Sequence, residues 1–122
     1  MPIETVLTLP DLLSQCPFSP STNPHYEVSG PNTAAWLDKY FHGDALVRLK
    51  QARTDLLINY TYPYVSPEFF QLCSDNMNLL FVVDGISDKQ DGFGAEKTRE
   101  MFLKALKGEP CEDDVVPRMT RE

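Results

Sequence analysis

The chain has 122 residues, 42% hydrophobic content and no apolar run long enough for a membrane span, which limits it to one soluble domain at most. A formal net charge of −7, with no Lys/Arg patch interleaved with aromatics, disfavours nucleic acid. Cys16, Cys73 and Cys111 are odd in number and widely spaced, so neither a disulfide framework nor a zinc site is expected, and a start without a basic, apolar leader makes cytoplasmic residence the default.

More than half of the ten prolines lie in residues 1 to 31 (Pro2, Pro10, Pro17, Pro20, Pro24 and Pro31), predicting an N-terminal arm with only short helical pieces. Residues 32 to 122 then form a helical unit. A short helix is expected over Asn32 to Tyr40, cut off from the arm by Gly30-Pro31, with Trp36 as a packing anchor. Asp44 is placed to cap a helix reaching about Tyr60, with Ala45, Leu49, Ala52, Leu56 and Tyr60 at helical spacing. Its cations Arg48, Lys50 and Arg53 suit a solvated face, with a phosphate role as the alternative.

Ser66, Pro67 and Glu68 give a cap, a first-turn proline and a first-turn acid, so one helix should run from Pro67 to about Asp88. At ~100° per residue, Phe70, Cys73, Met77, Phe81, Asp84 and Asp88 share one stripe, apolar at its start and acidic at its end. A buried carboxylate is costly unless a cation neutralises it. The stripe therefore suggests half of a magnesium site at a cavity mouth, held by Asp84 and Asp88; the plainer reading is that the helix emerges into solvent at Val83 and Asp84. Leu72, Leu79, Val82, Val83 and Ile86 point elsewhere, so such a helix must be surrounded.

Gly92-Phe93-Gly94 reads as a loop, followed by an amphipathic helix over Ala95 to Lys107 with Phe102, Ala105 and Leu106 inward, a Glu100 to Lys104 pair outward, and Gly108 as its stop. Glu109, Glu112, Asp113 and Asp114 suit a solvated loop. The expectation is an all-α chain of about four helices and an arm.

The sequence resembles fungal class I sesquiterpene synthases. The matching pieces occur in order: Leu9-Pro10-Asp11-Leu12, Cys16-Pro17-Phe18, Asn23-Pro24-His25, Ala35-Trp36-Leu37, Tyr62-Pro63-Tyr64, and Leu80-Phe81-Val82-Val83-Asp84 with Ser87-Asp88, and a further echo at Arg118-Met119-Thr120. The resemblance implies the amino-terminal part of a class I terpenoid synthase helical bundle, a prenyl diphosphate substrate (farnesyl diphosphate) and Mg2+ as cofactor. It makes Asp84 the principal metal ligand, Asp88 a supporting one, and Phe81 a ring facing the allylic cation in a catalytic role; Phe70 could join it. The family's aspartate-rich motif has a second acidic residue where this chain has Gly85. Its second metal motif, Asn with Ser and Glu at four-residue steps, fits no segment here. The expectation is thus a terpene synthase represented by an incomplete and inactive chain that starts at a natural amino terminus. The alternative is a non-catalytic helical module that associates with another protein chain.

Overall fold

A computed structural model describes residues 6–122, so the first five residues of the arm, Pro2 among them, lie outside the described residues. Among the described residues the chain is all-α, with six helices: α1 (Tyr26–Asp38), α2 (Gly43–Gln51), α3 (Thr54–Thr61), α4 (Pro67–Ser87), α5 (Gly92–Leu106) and α6 (Val115–Thr120). α4 is the axis of the fold and packs against α1, α3, α5 and α6. No helix among these is long and apolar enough to cross a membrane.

α4 begins where the sequence signals it. Ser66 is the N-cap, its Oγ accepting from the Phe69 N–H at 3.4 Å, and Pro67 occupies the first turn, where its missing N–H has no intrahelical partner to lose. The face it buries holds Phe70, Ser74, Asn78, Leu79 and Val82. Two of these are polar. Asn78 is satisfied there, its Oδ1 accepting from the Thr54 hydroxyl at 2.8 Å and its Nδ2 donating to the Ser74 carbonyl at 2.9 Å. The core proper joins Leu37 of α1, Leu79 and Val82 of α4, and Val116 and Met119 of α6, with Trp36, Tyr40 and Phe102 packed at its edge.

Several elements depart from the sequence reading. α1 starts at Tyr26, inside the proline-rich segment, and carries Pro31 within it. The bond that Pro31 cannot donate would have ended on the carbonyl of exposed Glu27, where water can serve instead. The expected helix from Asp44 to Tyr60 is two helices, broken at Arg53, which sits at φ 50 in the left-handed region. His42 precedes α2 as its N-cap residue, without a side-chain capping bond, and Asp44 lies in the first turn. Gly92-Phe93-Gly94 is not a loop but the first turn of α5, capped by Asp91, whose Oδ1 accepts from the Gly94 N–H at 2.8 Å.

At the far end of α5, Ala105 is buried while Leu106 is exposed. The ion pair recorded on this helix joins Arg99 to Glu96 rather than Glu100 to Lys104. Gly108 stops the helix at φ 71, where a side chain would be strained. The acidic segment after it is irregular as expected, but its last member, Asp114, caps α6, and α6 buries Val116, Pro117 and Met119.

The arm is tied down at Asn23, and the Ser21 hydroxyl meets the Tyr64 hydroxyl at 3.1 Å beside it. The Asn23 Nδ2 donates to the carbonyls of Tyr62 and Val65 at 2.8 and 3.2 Å, its Oδ1 accepts from the His25 N–H at 2.8 Å, and its own N–H donates to Asn59 Oδ1 at 2.7 Å. Asn23 thereby fixes the entry to α1 against the α3–α4 connection. Further out, Val6, Leu7, Leu9, Leu13 and Phe18 are exposed.

Candidate functional site

The last two turns of α4 carry the residues that the sequence singled out. Met77, Leu80, Phe81, Val83, Asp84 and Ser87 line an open groove of ≈ 400 Å³. All six come from one helix, so the groove has a single wall. Phe81 is 43% exposed and lies three residues before Asp84, with its ring available to whatever occupies the groove. Phe70 does not join it: the ring is fully buried, edge-on to Tyr26 with centroids 6.5 Å apart, and belongs to the core.

The helix continues regularly through the acidic pair, since the Asp88 N–H donates to the Asp84 carbonyl at 2.9 Å. Four residues of regular helix place the two side chains ~40° apart and one turn along the axis, on the same side. Both are exposed, and neither is paired with a cationic side chain among the described residues. The Ser87 hydroxyl donates to the Asp84 backbone carbonyl at 2.9 Å and leaves the carboxylate free. The stripe therefore runs from buried Phe70, through half-buried Cys73 and Met77, to exposed Phe81, Asp84 and Asp88.

Magnesium takes hard oxygen ligands and is commonly held by one or two carboxylates together with waters and substrate phosphates. Two unpaired carboxylates one turn apart suit a share of that shell. The negative end of the α4 dipole lies here too and favours a cation. Among the described residues no three His, Cys, Asp or Glu side chains gather as a metal-holding group, so water and phosphate would have to complete the coordination.

The other residues weighed from the sequence have different occupations. Lys50 pairs with Asp38 at 2.8 Å, and Arg53 binds both Asp55 and the Tyr26 hydroxyl, so these cations brace α1, α2 and α3 around a separate cleft of ≈ 190 Å³. Burial works against the Asp55 carboxylate, but hydrogen bonds from Arg53 and Tyr26 outweigh it and hold the group below the ordinary carboxylate range. The Asn23 bridge was missed by sequence reasoning, although both ends of it fall in matched pieces, Asn23-Pro24-His25 and Tyr62-Pro63-Tyr64.

The chain is thus a helical unit with an unpaired carboxylate pair at the end of an apolar groove, and comparison with known proteins shows what it is similar to. No family model matches the chain. It is 39% identical to bifunctional terpene synthase Agr4 of Cyclocybe aegerita over 81% of its length, and 32% identical to sesquiterpene synthase 6 of Postia placenta over 83%. It is also 36% identical, over 99% of its length, to a Coprinopsis cinerea protein named linoleate 10R-lipoxygenase COP4. The chain matches a portion of the fungal sesquiterpene synthase family. It spans about a third of the length of these relatives, 30% of each synthase and 36% of the Coprinopsis protein.

Proposed function

We propose that this chain supplies the first metal-binding wall of a sesquiterpene synthase acting on farnesyl diphosphate with Mg2+, and that as given it does not turn over alone. The observation that carries the reading is a pair of unpaired carboxylates, Asp84 in the lining of a groove walled by Phe81, Leu80 and Met77, and Asp88 one turn further along α4. When bound, magnesium would neutralise the diphosphate and stabilise the charge it gains on leaving. Asp84 and Asp88 would hold the cation at the end of α4, so that a prenyl chain lies back along the apolar wall. The Phe81 ring would then present its negative face to an allylic cation, while Leu80 and Met77 keep water from it. With one wall in place of an enclosed cavity, the chain alone cannot exclude water, and it would release no cyclic product.

The activity in the Coprinopsis protein's name is not carried over, because the paired carboxylates of α4 suit magnesium and a diphosphate. A second reading, association with another protein chain, is favoured by Phe69 and Leu72, which α4 leaves 62% exposed with no cover among the described residues.

The test of the first reading is a chimaera in which this chain replaces the matching third of the Agr4 synthase, assayed with farnesyl diphosphate across a magnesium series. Magnesium-dependent release of a cyclic hydrocarbon is expected, absent from the 122-residue chain alone. Asp84→Asn should lower turnover by about 100-fold or more, since it keeps the shape and removes the ligand charge. Unchanged turnover and magnesium dependence in Asp84→Asn would make Asp84 a solvated surface residue.

A further inference from the structure

Gly85 stands between the two carboxylates, and nothing in the fold calls for a glycine there. A Cβ at this position would meet no atom within 4 Å, so close packing does not exclude a side chain. Its backbone is not among the positive-φ positions, which for glycine are Gly43 and Gly108, so no left-handed turn requires it. Within a helix, glycine costs about 1 kcal/mol relative to alanine. Its one chemical consequence at this exposed site is the absence of a side chain, and so of charge, beside Asp84 and Asp88.

We infer that Gly85 is an affinity-determining residue: by holding the end of α4 to two carboxylates, it keeps divalent-cation binding there weak until an anionic phosphate supplies further oxygens. The inference rests on the magnesium reading of Asp84 and Asp88 given above. Around the helix, position 85 lies ~100° from Asp84 and ~60° from Asp88, too far round to complete one shell with both but near enough to add to the local potential. A third carboxylate there would act on a divalent ion across a few ångströms of solvent, and at water-like dielectric with ordinary screening this tightens binding roughly three- to tenfold. The open space around the Cβ leaves room for that carboxylate without moving the helix. The same low charge makes the pair a poor trap for free metal and leaves ligand positions for a diphosphate.

The test is a Mn2+ titration of the purified 122-residue chain, with free ion read from its paramagnetic resonance signal and helix content checked by circular dichroism. Wild type should bind weakly, Gly85→Glu three- to tenfold more tightly, and Gly85→Ala within twofold of wild type, since alanine stiffens the helix without adding charge. Asp84→Asn and Asp88→Asn should lose most of the binding. A Gly85→Glu titration indistinguishable from wild type, or a Gly85→Ala gain equal to that of Gly85→Glu, overturns the inference while the loss in Asp84→Asn leaves the metal reading standing. If Asp84→Asn and Asp88→Asn bind as wild type does, the metal reading itself fails. The Gly85→Glu gain should shrink as ionic strength rises; a gain insensitive to salt would not be electrostatic and would also overturn the inference.

Discussion

Asn23 is a short polar side chain held at 3% exposure, and its value to the fold follows from its bonds. Its amide closes two backbone carbonyls, those of Tyr62 and Val65, which no helix satisfies, and its oxygen orients the first residues before α1. Asn23→Ala removes all three bonds and leaves two part-buried carbonyls without their donor, which should cost about 2 kcal/mol in urea unfolding. The arm should also become the first site of proteolytic cleavage, because the same bonds tie it to the α3–α4 connection. A loss under 0.5 kcal/mol with unchanged cleavage would show that water replaces the amide. No periodicity marks Asn23, and its partners lie 36 to 42 positions away in sequence, so its role was visible only as a matched piece without a reason. Asp84 and Asp88 were legible by contrast, because a four-residue spacing on a well-signalled helix dictates that they share a side.

At the scale of elements, α4 was readable because its start signals and its apolar length agree, while the α2–α3 break was not. Ala45, Leu49, Leu56 and Tyr60 keep helical spacing through Arg53, and no glycine or proline warns of a turn. The backbone nevertheless reverses locally at Arg53, where the guanidinium is held by Asp55 at 3.1 Å and by the Tyr26 hydroxyl at 2.8 Å. The left-handed conformation costs a residue with a Cβ about 1 kcal/mol, and a solvent-screened ion pair on an exposed arginine offsets little of it. Position 53 should therefore invert the usual helix ranking. Arg53→Gly should be about 1 kcal/mol more stable than Arg53→Ala in thermal or urea unfolding, since both lose the ion pair and only glycine escapes the strain. Alanine above glycine would mean that residues 43–61 form one continuous helix in solution. α6 showed in the sequence only as the matched piece Arg118-Met119-Thr120, since six residues give a short pattern, and Val116 and Met119 are buried by packing among α1, α4 and α5.

Across the whole molecule, the tertiary signal in the sequence was that α4 is apolar on too many sides to stand alone, and the fold answers it in part. α1, α3, α5 and α6 cover some faces, while Phe69, Leu72, Leu80 and Phe81 stay exposed in a chain a third as long as the proteins it matches.

The α1–α4 interface holds a half-buried carboxyl group, Asp75, whose titration bears on stability. The Gln71 Nε2 donates to Thr33 Oγ1 at 2.9 Å and to Asp75 Oδ1 at 2.8 Å, while its own buried Oε1 has no partner. Burial raises the Asp75 pKa above the ordinary carboxylate value despite the hydrogen bonds from Gln71 and Thr33 and the charge of Lys39, which lower it; Glu122 adds to the rise. A raised folded value means that the native state binds this proton more tightly than the unfolded chain does. Its contribution is fully present below the unfolded pKa and is lost as pH rises through the folded one. Asp55 has the opposite sign, its contribution being lost as pH falls through a depressed value, so total stability mixes the two. Comparing Asp75→Asn with wild type isolates the first. The amide at 75 still accepts from Gln71 Nε2, brings an N–H donor to an interface where Gln71 Oε1 has no partner, and carries no charge to desolvate. Melting temperatures measured from pH 3 to pH 8 should show the variant above wild type at neutral pH, with the gap narrowing on acidification as wild-type Asp75 becomes protonated. A gap independent of pH would assign the gain to the new hydrogen bond alone, and a variant less stable at pH 7 would mean that the Asp75 charge, held by Lys39, is an asset to the fold.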